Sequence, residues 1–114
     1  MQVNREEIIW AAGFFDGEGH FGFRSTPWNT KMLVLSIAQI DRRVLDRFRE
    51  AVFGLGKIYG PYKHGRKNES PYWLFSSNRF EPTQAIVAAL YQFLSPVKQE
   101  QIRTTLQAMA KKKA

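Results

Sequence analysis

The sequence predicts an α+β fold in which helices cover one face of a four-stranded antiparallel sheet. Three observations support this fold class. Apolar residues recur at helical spacing in four segments, the segments between them are rich in β-forming residues, and glycine, proline or asparagine marks most junctions. The predicted order of elements is α-β-β-α-β-β-α-α, and hairpins with helices grouped on one side form a two-layer arrangement.

The first helix is predicted to begin after Asn4, whose side chain can cap it, and to end at Gly17 and Gly19. One face of this helix is apolar and is expected to enter the core. That face comprises Ile8, Ala11, Ala12 and Phe15.

A hairpin is predicted next, with strands from His20 to Ser25 and from Lys31 to Ile40 and a turn over residues 26–29. The helices are expected to cover one face of these strands, which leaves alternate residues on the other face without a helix. Those residues are His20, Gly22, Arg24, Met32, Val34, Ser36 and Ala38. A sheet face of this composition is suited to a nucleic-acid groove.

A second helix is predicted after Asp41, which can cap it, and Gly54 and Gly56 are expected to end this segment. Its apolar stripe is predicted to comprise Val44, Leu45, Phe48 and Val52.

The remaining elements are two strands and two helices. Lys57 to Tyr62 is a candidate strand that Pro61 restricts to an edge or a bulge, and Tyr72 to Ser76 is the next strand. A third helix is predicted from Pro82 to Leu94, and a fourth is predicted to begin near Pro96.

The composition is that of one globular domain spanning residues 1–114, because 44% of the residues are hydrophobic. No apolar run is long enough to cross a membrane, and the first residues lack the apolar stretch of a signal peptide. Cysteine is absent, which excludes disulfides and thiolate metal sites. An intracellular protein without membrane partners is therefore expected, in the cytoplasm or in an organelle.

The net charge of +7 favours a polyanionic partner, and its distribution is more informative than its size. Aspartate and glutamate are absent from Gly19 to Ile40 and from Ala51 to Asn68. Both stretches contain lysine and arginine and are predicted to form strands and loops, so the sheet is expected to be basic.

The end of the first helix has features that neither a stable helix nor a core requires. Gly13 and Gly17 are four residues apart, and glycine costs a helix about 1 kcal/mol relative to alanine. Asp16 and Glu18 lie where the helix dipole disfavours negative charge. Small residues permit close helix packing, and carboxylates beside accessible carbonyls suit a hard cation. The alternative for such a segment, taken by itself, is a solvated turn.

The nine residues from Ala11 to Gly19 resemble the LAGLIDADG motif of homing endonucleases, with Ala11 in place of the first leucine and Glu18 in place of the second aspartate. The element order αββαββα also resembles the core of that family over nearly the whole chain. The resemblance implies a saddle-shaped sheet with helices on one face, and one motif per chain resembles the homodimeric branch.

The resemblance also implies roles for residues of the motif. Ala12, Gly13 and Asp16 would lie at the dimer interface, with Asp16 mainly a structural residue of the helix end. Glu18 and the Gly17 carbonyl would bind a divalent metal, Mg²⁺ or another cation such as Mn²⁺ or Ca²⁺.

Two further catalytic residues are implied by the family pattern. A glutamine near the end of the second strand matches Gln39, and a lysine after the third helix matches Lys98. Both would order water or stabilise charge at the scissile phosphate. Without the resemblance, both are more typical of ordinary surface residues.

DNA contacts are predicted from the basic and polar residues of the strands and loops. The candidates are His20, Arg24, Lys31, Ser36, Lys57, Tyr59, Lys63, Arg66 and Lys67. A solvated basic loop is the alternative for residues 63–67.

The leading hypothesis is a site-specific double-strand DNA endonuclease that acts in intron homing as a homodimer on a nearly palindromic site. The alternative is a non-cleaving relative, either an RNA maturase or a DNA-binding regulator. Retention of an acid at Glu18 favours the enzyme. A purely structural interaction protein fits the acid-free strands least well.

Overall fold

The computed structural model describes residues 3–28 and 30–113, the last three of these by their backbone alone. The observed elements confirm the predicted α+β class and its element order. The helices are α1 (Arg5–Glu18), α2 (Arg42–Ala51), α3 (Phe80–Leu90) and α4 (Pro96–Lys113), with a short 3-10 turn at Tyr91–Phe93. The strands are β1 (Gly19–Ser25), β2 (Lys31–Gln39), β3 (Lys57–Tyr62) and β4 (Tyr72–Ser77).

The four strands form one antiparallel sheet in the order β1-β2-β4-β3. One transverse row contains Gly19, Ile37, Phe75 and Ile58. From this row the β1–β2 hairpin extends away from the end of α1. The β3–β4 hairpin extends in the opposite direction, because Gln39 at the end of β2 pairs with Trp73 near the start of β4. The two hairpin tips therefore lie at opposite ends of the sheet.

The core lies between the helices and one face of the sheet. The sheet contributes buried residues of alternate positions, and the helices contribute the apolar faces predicted for them. Phe48 of α2 packs edge-on against Phe75 of β4, with 5.0 Å between ring centroids. The buried residues include Phe15, Phe21, Leu33, Leu35, Ile37, Leu45, Phe48, Phe75, Ile86, Leu90 and Ile102.

Local side-chain chemistry sets the starts of α1 and α2 as predicted. The Asn4 side chain accepts a hydrogen bond from the Glu7 amide at 3.2 Å, and the Asp41 side chain accepts one from the Arg43 amide at 2.9 Å. β3 is an edge strand with a register shift between Tyr59 and Tyr62, as Pro61 requires.

The third helix differs from the prediction at both ends. It begins at Phe80 rather than Pro82, because the first four amides of a helix have no intrahelical acceptor and a proline there loses no hydrogen bond. It ends at Leu90, and the chain is extended at Leu94 before Pro96. The predicted single helix to Leu94 is therefore a helix followed by a 3-10 turn.

Candidate active site and nucleic-acid interface

The end of α1 leads directly into β1 and leaves Glu18 exposed between them. The Gly19 amide donates to the Phe15 carbonyl, and a Cβ at Gly19 would collide with the Phe15 ring. Glycine is therefore required where the helix turns into the strand. Among the described residues Glu18 has no hydrogen-bond or ion-pair partner, and the last turn of α1 has no basic residue to offset the helix dipole.

Lys98, in the first turn of α4, lies beside this helix end. Its ammonium donates a hydrogen bond of 2.9 Å to the Gly19 carbonyl and lies 5.5 Å from the centroid of the Phe15 ring. An ammonium group has three donors, so two remain for another acceptor. The structure thus places the Lys98 ammonium at the carbonyl of Gly19, the residue that follows Glu18.

Asp16 fixes the position from which Lys98 reaches Gly19. Its carboxylate accepts a 3.0 Å hydrogen bond from the Ser95 amide, and the Ser95 hydroxyl accepts a 3.2 Å hydrogen bond from the Lys98 amide. This chain of contacts joins the end of α1 to the start of α4, which gives Asp16 the structural role predicted for it. Ser95 was missed, although a serine before Pro96 is a typical helix-capping signal.

Gln39 lies at the end of β2. Alternation along β2 places it on the helix-covered side with Leu35 and Ile37, opposite Trp73. No hydrogen bond joins it to Glu18 or Lys98 among the described residues. Neighbouring residues of a strand point to opposite faces of the sheet, so the exposed residue on the other face at this strand end is Ala38. The catalytic role of Gln39 stays a prediction.

The exposed stripe of α1 consists of Ile9, Gly13 and Gly17. Ile9 is 43% exposed, and a Cβ added at either glycine would meet no atom within 4 Å. Gly13 is therefore exposed, and its place at a dimer interface stays a prediction. Ala12 corrects the prediction, because it is fully buried in the chain's own core and presents no surface to a partner.

The sheet face opposite the helices, here called the outer face, has the predicted composition on β1 and β2. A transverse row runs across all four strands through His20, Ser36, Ser76 and Lys57. Val34 also lies on this face but is buried, at 7% exposure, which the prediction did not anticipate. The outer residues of β4 were not predicted, because its run from Tyr72 to Phe75 does not alternate apolar with polar residues. They are Tyr72, Leu74 and Ser76.

The cations on the strands and hairpin tips differ in their surroundings. Arg24, Lys57, Lys63 and Lys67 are exposed and have no acidic partner among the described residues. Lys31 alternates with Leu33 toward the helix-covered side of the sheet, and its DNA contact stays a prediction. Its ammonium lies 4.7 Å from the centroid of the Phe23 ring rather than on the outer face.

The arginines of α2, by contrast, are largely neutralised within the chain. Arg43 bonds Asp41 at 2.8 Å and lowers the pKa of that carboxyl to about 2. Arg47 bonds Glu7 at 2.8 Å, and its side-chain hydrogen bonds lower the pKa of Glu7. Arg43 and Arg47 are therefore less available to an external polyanion than the unpaired cations of the sheet and its hairpins.

The oxygen donors at the end of α1 fit a hard divalent cation in type. Glu18 provides an exposed carboxylate, and Gly17 provides a carbonyl from a helix turn whose carbonyls have no next-turn amide. Within the part of the chain that the structure describes, no three histidine, cysteine, aspartate or glutamate residues are grouped as metal ligands.

Comparison with known proteins gave matches of structure alone. No protein-family model matches the sequence, and no curated protein matches it. The homing endonuclease I-CvuI, solved in complex with its target, superposes with a TM-score of 0.72 at 19% identity over 94% of this chain and 68% of its own.

Two further solved structures also superpose on this chain. The archaeal intron-encoded homing endonuclease I-Vdi141I, complexed with DNA, has a TM-score of 0.62 at 22% identity over 77% of this chain and 55% of its own. The LAGLIDADG homing endonuclease I-GzeII, in complex with its DNA target, has a TM-score of 0.71 at 22% identity, over 96% of this chain and 37% of its own.

Among the described residues, no helix has the length and apolarity needed to cross a membrane.

The structural similarity to these endonucleases extends over nearly all of the αββαββα core, in which the Ala11–Gly19 segment closes α1 and opens β1. The chain therefore has the fold of the LAGLIDADG homing endonucleases.

Proposed function

We propose that this chain is one subunit of a homodimeric, metal-dependent, site-specific double-strand DNA endonuclease. The observation that supports this most is the pair formed by Glu18, which has no partner among the described residues, and by Lys98, which is held at the Gly19 carbonyl. This pair lies where α1 meets the sheet whose outer face has unneutralised cations. A carboxylate and an ammonium group at the edge of a polyanion-binding surface are the groups that phosphodiester hydrolysis uses.

Each of these residues would have a separate role in the reaction. Glu18 and the Gly17 carbonyl would hold the divalent cation, which when bound activates water and neutralises charge on the phosphate. Lys98 uses one donor on Gly19, and its remaining two donors stabilise negative charge that develops on the phosphate. Asp16 and Ser95 keep the start of α4, and hence Lys98, in position.

The dimer is proposed from the exposed stripe of α1. Neither Gly13 nor Gly17 has a positive φ or a neighbour within 4 Å of a Cβ position, so the isolated chain does not require glycine at either site. Each glycine costs the helix about 1 kcal/mol relative to alanine. Close packing of a second α1 against this stripe would offset that cost, and it would bring one Glu18 from each chain to a shared axis.

The DNA would lie along the outer face of both subunits, and twofold symmetry would impose a nearly palindromic site. Because the two hairpins extend in opposite directions from the end of α1, they would contact different parts of each half-site. The β3–β4 hairpin would contact base pairs near the cleavage position. The β1–β2 hairpin, with Arg24, would contact base pairs farther away.

The direct test is selection of cleaved sequences from a randomised duplex library with the purified protein and Mg²⁺. We expect recovery of one family of nearly palindromic sites, cut on both strands, and loss of cutting when EDTA replaces Mg²⁺. Selective binding without cutting under any divalent cation would instead indicate the non-cleaving alternative. Absence of selective DNA binding would contradict both.

Replacement of Lys98 tests its role separately. Lys98→Met keeps an unbranched side chain against Phe15 but removes the ammonium group. We expect the single-turnover cleavage rate on the selected site to fall about 100-fold, the scale for loss of one charge-stabilising donor. Affinity for the uncut site, measured in Ca²⁺ by fluorescence anisotropy, should change little. Lys98→Arg is the control for charge, and an unchanged rate in Lys98→Met would remove this residue from the mechanism.

A further inference from the structure

The β3–β4 hairpin contains one acid among its cations. Glu69 follows an 18-residue stretch without acids, from Ala51 to Asn68. One of its carboxylate oxygens lies 3.7 Å from His64 Nδ1, and the other lies 3.7 Å from Arg66 Nη1. The carboxylate therefore bridges His64 and Arg66, of which Arg66 is a predicted DNA contact.

The two bridged residues differ in what else holds them. His64 stacks on Tyr72, with 4.5 Å between ring centroids, and Tyr72 lies 5.6 Å from the Tyr62 ring. The Arg66 side chain is 83% exposed, and it forms an ion pair with Glu69. Glu69 is thus the group that ties Arg66 to the aromatic stack on the outer face.

Glu69 contributes little to the stability of the isolated chain. Its side chain is 36% exposed and its contacts are longer than hydrogen bonds, and such exposed ion pairs contribute little. On a surface that binds phosphates, an added carboxylate also lowers affinity for every DNA sequence. A group that costs general affinity and restrains an arginine is expected to act on the choice among sequences.

We infer that Glu69 is a specificity-determining residue, which acts by positioning the Arg66 guanidinium for base-edge contact and by weakening binding to non-target DNA. The inference rests on the proposed function, because it requires that the outer face bind DNA. A restrained guanidinium can donate two hydrogen bonds to one guanine edge, whereas an unrestrained one binds any nearby phosphate. From the hairpin's direction, the affected base pairs are those nearest the cleavage position.

The test compares base preference with Glu69 changed and cleavage disabled. Glu69→Gln is made in the Glu18→Gln background, and bound duplexes are selected from a randomised library. Affinity is then measured by anisotropy for the selected duplex and for a scrambled one. Glu50→Gln in the same background is the matched control, since it removes an equal charge from an exposed position on α2, in the helix layer.

We expect Glu69→Gln to bind scrambled DNA more tightly and to lower the ratio of specific to non-specific affinity at least about fivefold, the lower end for one base contact. The variant should lose base preference only near the cleavage position, which is mapped with the unmodified protein. Arg66→Ala should flatten the same positions, and Glu50→Gln should leave the profile intact.

Three results would overturn the inference. The first is that Glu69→Gln leaves the base-preference profile unchanged. This result includes the case in which the affinities for the selected and the scrambled duplex rise by the same factor. The second is loss of preference at different positions in Arg66→Ala. The third is a Glu18→Gln parent that binds no DNA selectively, which would overturn the proposed function as well, whereas the first two leave that function standing.

Discussion

Glu18→Gln should reduce cleavage of the selected duplex at least about 1,000-fold, because the carboxylate provides several kcal/mol of charge stabilisation through the cation and each 1.4 kcal/mol is tenfold in rate. Glutamine keeps the size of the side chain and removes its charge. Glu18 is exposed and forms no hydrogen bond or ion pair with another described residue, so the fold should be unaffected. Single-turnover cleavage at saturating protein measures the effect.

DNA affinity separates this prediction from a general loss of function. The variant should bind the selected duplex at least as tightly as the unmodified protein when EDTA is present, because a carboxylate near phosphates is removed. Glu6→Gln, in the first turn of the same helix, is the matched control and should cleave normally. Cleavage by Glu18→Gln within tenfold of the unmodified rate would exclude Glu18 as the central ligand.

Gly13→Arg should convert the protein to a monomer and abolish double-strand cleavage. In the isolated chain the new side chain meets open space, and replacement of glycine should favour the helix by several tenths of a kcal/mol. In the proposed dimer, the arginine would separate the two α1 helices and bury a charge without a partner. Light scattering at micromolar concentration gives the mass, and thermal unfolding reports on the monomer fold.

The matched control is Ala108→Arg, which adds the same side chain at an exposed position on α4. It should remain dimeric and active. A Gly13→Arg protein that is dimeric and cleaves both strands would place the interface elsewhere. An unmodified protein that is monomeric at micromolar concentration would contradict the shared active site itself.

The features predicted well from the sequence depend on neighbouring residues. The helix starts at Asn4 and Asp41 follow from side chains that reach amides two or three positions along. The bulged edge strand follows from Pro61, which lacks an amide for a central strand. The alternation of His20 with Phe21 defines two faces without knowledge of any partner strand.

One feature that was missed depends on a contact between distant segments. The bond between Asp16 and Ser95 spans 79 positions, and no local pattern indicates it. Lys31 was assigned to DNA binding by residue type, although its place in the alternation of β2 directs it toward the helices. Ala12 was assigned to a partner because it is small, whereas its helical phase with Ile8 places it in the core.

The opposed directions of the two hairpins have a consequence for how such a protein can change its target. The segments that would contact the inner and outer parts of a half-site are separated in the chain by α2 and lie at opposite ends of the sheet. Substitutions at one tip need not disturb the register of the other. Preferences at the two parts of the site could therefore drift or be redesigned as independent blocks, and favourable variants of each could be recombined in one chain.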